Sequence, residues 1–145
     1  MVRRGLSAVL LICLSASVVH AQRPGCDQSA ARFAEQEADT LKTWQQIYNS
    51  FKRYSACDDG AIWEGYSDSV VKVLANKWSE LPHLSILIAR DQDFRDFVLR
   101  HIDATTDEKD LENVATNASK RCPRDDAKLC EDILRKAAAA RSKQR

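Results

Sequence analysis

One apolar stripe constrains this chain more than any other feature of its sequence. Phe33, Glu37, Leu41, Trp44, Tyr48 and Phe51 recur every three or four residues, and Ile47 and Tyr54 widen the same face. That is the period of one side of an α-helix, and no Gly or Pro interrupts it. The spacing predicts one long amphipathic helix over Ser29 to Tyr54. Such an element must bury its stripe against other elements, and here those are helices. The rest of the sequence supplies them: no segment sustains the alternation of a strand, and four glycines and three prolines are too few for a turn-rich β fold.

Ser55-Ala56-Cys57-Asp58-Asp59-Gly60 reads as a turn, with acids placed for the start of the next helix. Ile62, Trp63, Tyr66, Val70, Val73, Leu74 and Trp78 form its stripe. Pro82 fits the first residue of a short helix ending at Ile88 or Arg90. Asp91 to Asp93 can cap another, which carries Phe94, Phe97, Val98 and Ile102. Thr105 with Glu108 has capping-box spacing and leads through Leu111, Val114 and Ala118 to Cys122, where Pro123 stops it. Asp125 and Asp126 open a last helix through Leu129, Ile133 and Leu134 into an alanine run. A basic tail follows, about 138–145. The expected fold is all-α: one compact domain, 22–145, a bundle of about five to six helices with a long first helix.

The N-terminus sets the redox chemistry of the rest. Arg3 and Arg4 precede an apolar run of about 14 residues, which ends in Val19-His20-Ala21. Small or β-branched residues at these last positions suit signal peptidase, and the run is short of the roughly 20 residues that span a bilayer. Residues 1–21 therefore read as a cleaved secretion signal, with an uncleaved anchor as the alternative. Bulky Ile12 before Cys13 argues against a lipoprotein site. Removing Arg3 and Arg4 leaves 20 basic residues against 21 acidic ones, net −1. That balance gives no support for nucleic-acid binding, which shows as a basic excess. No later segment is apolar enough to cross a membrane, so the expected location is the periplasm or the exterior.

Cys26, Cys57, Cys122 and Cys130 remain after the leader, an even number in an oxidising compartment, and read as two disulfides. Their spacings fit neither a zinc site nor a redox Cys-x-x-Cys pair. A helix from Ser29 to Tyr54 would be nearly 40 Å long at about 1.5 Å per residue. Disulfide-linked Cα atoms lie about 5–6 Å apart, so a Cys26–Cys57 bond would require that helix to break or its flanks to fold far back. The cross-pairing Cys57–Cys122 with Cys26–Cys130 is the expectation.

Tyr54-Ser55-Ala56-Cys57-Asp58-Asp59-Gly60-Ala61-Ile62, then Glu64-Gly65-Tyr66-Ser67-Asp68, then Phe97-Val98-Leu99-Arg100-His101-Ile102-Asp103 resemble a group of small exported helical bacterial proteins with no established activity. The resemblance covers roughly 44–123, ending at Cys122-Pro123. It implies a bacterial, periplasmic setting and the Cys57–Cys122 pairing, and it carries over no catalytic residue.

Asp58, Asp59, Glu64 and Asp68 form the one conspicuous acidic cluster, with Glu64 and Asp68 four apart on a helix face. They are the candidate contact surface for a basic partner. The plainer reading is that Asp58 and Asp59 satisfy a helix N-terminus while Glu64 and Asp68 face water. Asp58-Asp59-Gly60 lacks the alternating ligands of a calcium loop. His101 and Asp103, two apart on a helix, would point to different faces, and His101 reads as structural. No Ser or Cys has a nucleophile's companion motif, and no spacing calls for a cofactor or a metal. Asn117-Ala118-Ser119 is formally a glycosylation sequon. The expected function is binding to another exported or envelope protein, of inhibitor or immunity type. The alternative is a small-molecule or lipid carrier, its cavity lined by Trp44, Trp63, Trp78, Tyr48, Tyr54 and Tyr66.

Overall fold

The computed structural model describes residues 25–145. The expected leader, Met1 to Ala21, and Cys13 lie outside them. Among the described residues there are seven α-helices and no strand: α1 (Gln28–Glu37), α2 (Trp44–Tyr54), α3 (Gly60–Asn76), α4 (Leu81–Arg90), α5 (Gln92–Arg100), α6 (Glu108–Lys120) and α7 (Ala127–Lys143). The all-α expectation holds, with more helices than the five to six expected. None is long and apolar enough to cross a membrane.

The long first helix is two helices. After Glu37 the chain turns, with Thr40 N–H donating to the Glu37 carbonyl at 2.9 Å. Helix α2 then starts under its own cap. Thr43 Oγ1 accepts from Gln46 N–H at 3.2 Å, and the Gln46 side chain reaches back to accept from Lys42 N–H at 2.8 Å. This is a Thr-x-x-Gln capping box, shifted by one residue on its return bond. Trp44 and Ile47 keep the apolar stripe going through the break, so the period alone does not reveal it.

The break decides the disulfides. With α1 and α2 folded on each other, Cys26 and Cys57 bond to each other, with Cα atoms 5.0 Å apart. Cys122 bonds Cys130 across the turn between α6 and α7, at 6.0 Å. The expected pairings Cys57–Cys122 and Cys26–Cys130 are therefore incorrect. They followed from an unbroken first helix, and the chain takes the option such a helix forbids.

Helix α3 lies at the centre, burying Ile62, Tyr66, Val70, Val73 and Leu74 against α1, α2 and α6. It runs beside α6 in the same direction. Near its end, Asn117 of α6 donates to the carbonyls of Leu74 and Ala75 at 3.2 and 3.1 Å. This buried amide is the would-be glycosylation acceptor, and the fold uses its nitrogen internally. Where α1 meets α3 the backbones nearly touch at Gly65: a Cβ there would sit 2.8 Å from that of Ala38. Ser69 Oγ donates to the Ala38 carbonyl at the same crossing, at 2.6 Å. Helices α6 and α7 form the most extensive helix pair. Buried Asp132 of α7 is gripped by Arg95 of α5, by Arg135 at 2.7 Å and by Lys128 at 3.5 Å.

Several helix starts follow the sequence. Asp91 Oδ1 caps α5 by accepting from Phe94 N–H, and Pro82 sits in the first turn of α4. The cap of α6 is Asp107, accepting from Asp110 N–H at 3.0 Å, rather than Thr105. The expected basic tail, about 138–145, is mostly helix: α7 runs to Lys143, and Gln144 Nε2 donates to the carbonyls of Ala104 and Thr106.

Candidate functional site

Two arrangements carry the polar residues singled out by the sequence, and they separate the four acidic candidates. Asp58 leaves the surface. It follows Cys57 in the short turn before α3, with a side chain only 3% exposed, and its Oδ2 accepts from Arg100 Nη2 at 2.8 Å. The same oxygen lies 3.1 Å from His101 Nε2. Asp59 caps α3, its Oδ1 accepting from Gly60 N–H at 3.0 Å. The helix-start reading holds for Asp59, while the Asp58 carboxylate is buried against Arg100 and His101.

Glu64 and Asp68 do face outward. With Glu35, Asp39, Ala61, Gly65 and Thr105 they line a depression where the end of α1 crosses α3. Gly65 makes the depression possible by letting the helices approach. Asp68 holds Lys72 at 2.6 Å. Hydrogen bonding to Asp68 raises the Lys72 ammonium, and Asp68, Asp110 and Asp39 add to it by charge. The acidic field thus reaches along the α3–α6 seam. Glu35 and Asp39 escaped the sequence reading, although they share the i, i+4 spacing of Glu64 and Asp68. Their segment has the apolar period of one continuous helix, which hides the crossing.

The second arrangement is buried. His101 is fully enclosed, packed between the rings of Trp63 and Phe97, each 4.3 Å away centroid to centroid. Its Nδ1 is 2.9 Å from Ser67 Oγ, which in turn donates to Asp103 Oδ2 at 2.9 Å. The indole N–H of Trp63 donates to that same oxygen at 2.6 Å. Asp103 Oδ1 accepts from the backbone N–H and the hydroxyl of Thr105 at 2.8 and 2.6 Å. His101 and Asp103 converge on Ser67 because α5 ends at Arg100. The two residues are not on a helix, and the expectation of divergent faces fails for that reason.

Burial pushes the Asp58 carboxyl up, but His101 and Arg100 outweigh it and hold the group below the usual carboxylate range. Burial likewise raises Asp103, and the hydrogen bonds from Thr105, Ser67 and Trp63 more than reverse it. Tyr66, beside this cluster, is pushed up to about 12 chiefly by burial, with its hydroxyl 2.7 Å from Ser50 Oγ. Asp58, His101 and Ser67 stand in the order of a hydrolase triad. Ser67, however, is fully buried on the inner face of α3 and its hydroxyl is engaged by Asp103. A nucleophile so placed meets no substrate. What the arrangement does is pin three parts of the chain together: the turn before α3, the end of α5 and the loop before α6. His101 does not join Glu64 and Asp68 in a cleft.

Several of the aromatic residues named for a cavity spend their faces on Phe51, Phe94, Phe97 and His101. Tyr48 meets Phe94 edge-on at 4.9 Å, and Tyr66 meets Phe97 at 5.0 Å. Trp78 is buried with its indole N–H on the Arg121 carbonyl. Among the described residues no group of three or more His, Cys, Asp or Glu side chains is placed to hold a metal. No family model, no curated protein and no solved structure matches this chain.

Proposed function

We propose that this chain is an exported protein, cleaved after Ala21, that acts by binding a basic protein partner in the periplasm or outside the cell, in the manner of an inhibitor or immunity protein. The observation that carries this reading is the depression at the α1–α3 crossing, where Glu35, Asp39, Glu64 and Asp68 converge. Glu35 comes from α1, Asp39 from the turn that ends it and Glu64 and Asp68 from α3, and the close approach of that turn to Gly65 sets their spacing by backbone packing. A preorganised acidic face of this kind suits fast, charge-steered association. The two disulfides support the compartment, because such bonds persist where the medium is oxidising. Of the four residues first singled out, Glu64 and Asp68 line this surface with Glu35 and Asp39, while Asp59 caps α3 and Asp58 is buried against Arg100 and His101.

The test is capture from the native envelope fraction with the mature protein, alongside a Glu64→Lys/Asp68→Lys variant. A partner held by the acidic face is retained by the wild type, weakened by added salt and lost from the variant. Identical partners on both proteins would refute the surface. Intact mass of the protein from its host, beginning at Gln22, tests the leader. The carrier reading gains nothing from the rings, whose faces are taken up in the core.

A further inference from the structure

The buried chain from Asp58 to Asp103 contains a proton count that its geometry fixes. A carboxylate only accepts. Asp58 Oδ2, 3.1 Å from His101 Nε2, therefore requires the proton on Nε2. Ser67 has one hydroxyl proton and two neighbours at 2.9 Å, His101 Nδ1 and Asp103 Oδ2. Asp103 has no proton to give, so the hydroxyl donates to it, and the contact with His101 then needs a proton on Nδ1 as well. The network closes only around a doubly protonated ring. Its charges balance in that state: His101 and Arg100 against Asp58 and Asp103. Remove one proton from the ring and Ser67 must choose between the imidazole and Asp103.

We propose that His101 is a proton-operated latch for the loop between α5 and α6. While both ring nitrogens carry protons, Ser67 is turned to Asp103 and the loop is held. When Nδ1 releases its proton to solvent, the Ser67 hydroxyl swings to the bare nitrogen, Asp103 loses a donor and residues Asp103 to Thr106 loosen. The groups that face the ring are Asp58 from the turn before α3, Trp63, Tyr66 and Ser67 from α3, Phe97 and Arg100 from α5, and Asp103 from the loop. The Tyr66 hydroxyl, held by Ser50, supplies no charge. Thr105, which the loop carries, lines the acidic depression. An effect on partner binding would rest on the function proposed above, whereas the latch itself does not.

The test follows the ¹⁵N-labelled mature protein across pH by NMR. It records the His101 ring nitrogens and, separately, amide hydrogen exchange at Asp103 to Thr106, corrected for intrinsic exchange. The expected result is a severalfold rise in exchange of these amides, with the same midpoint as the ring. Exposed His83 serves as the reference that produces no such step. In Ser67→Ala the loop amides exchange fast at every pH and the step disappears. A ring that titrates while the loop stays protected would overturn the latch, as would a step that survives in Ser67→Ala. Should that variant not fold, the paired wild-type titrations decide the matter alone.

Discussion

Asp58 shows how far one residue's role depends on its surroundings. It and Asp59 are neighbours with the same side chain; one is a solvated cap, the other a buried anion between Arg100 and His101. Replacing Asp58 with Asn removes the charge that the Arg100 guanidinium faces, and leaves His101 without its carboxylate inside the core. The expected loss is about 3 kcal/mol or more in urea denaturation, against roughly 0.5 kcal/mol or less for Glu64→Gln on the surface. Acid acts on the same group. Asp58 and Asp103 titrate below the ordinary value of 3.8 in the folded protein. Their contribution is therefore complete above that value and is lost as the pH falls through their lowered folded values. The urea midpoint should fall in this acid range, and less steeply in Asp58→Asn. Gly65 is the other sensitive position. A methyl group there meets Ala38 Cβ at 2.8 Å and the Asp39 nitrogen at 3.1 Å, neither the tip of a flexible side chain. Gly65→Ala should cost about 1–3 kcal/mol by overpacking, measured as a shift of thermal or urea midpoint.

At the scale of elements, the turn between α1 and α2 is the feature on which the topology depends. It lets Cys26 and Cys57 close a loop 31 residues apart in sequence, while Cys122 and Cys130 close one of 8. In the chain-entropy account the longer loop restrains the unfolded state more, about 3.7 against about 2.5 kcal/mol. Replacing both cysteines of the first pair by Ala should therefore lower the urea midpoint more than the same change in the second. Peptide mapping without reduction should recover two linked pairs, Cys26 with Cys57 and Cys122 with Cys130. The turn was legible in part. Thr43 and Gln46 have the spacing of a helix start, but Leu41, Trp44 and Tyr48 keep the apolar rhythm across it, and rhythm was the stronger signal. Asn117 teaches the same lesson differently. A sequon is a local pattern, and only the neighbouring α3 carbonyls show its nitrogen to be occupied. Asn117→Ala should destabilise by about 1–3 kcal/mol through unmet buried carbonyls, read by the same denaturation.

The whole molecule brings Glu35, Asp39, Glu64 and Asp68 to one crossing, and Thr105 joins that crossing to Asp103 of the buried polar chain. Charge reversal at Glu35 and Asp39 should therefore weaken partner capture as reversal at Glu64 and Asp68 does, although the two pairs are far apart in sequence; an unaffected yield would confine the surface to α3. The class of fold, the five later helices to within a few residues, several of their caps and most of the core were legible in the residues alone, with Phe33 of the first stripe an exception that stays exposed. These follow from apolar period and local hydrogen bonding, which act over one or two turns of chain. Which cysteines bond, which of two adjacent aspartates is buried, and that Ser67 stands between His101 and Asp103 at hydrogen-bond distance came from tertiary packing. Those outcomes depend on where helices break and cross. A break costs a few local hydrogen bonds and is offset by packing between segments that the sequence holds far apart.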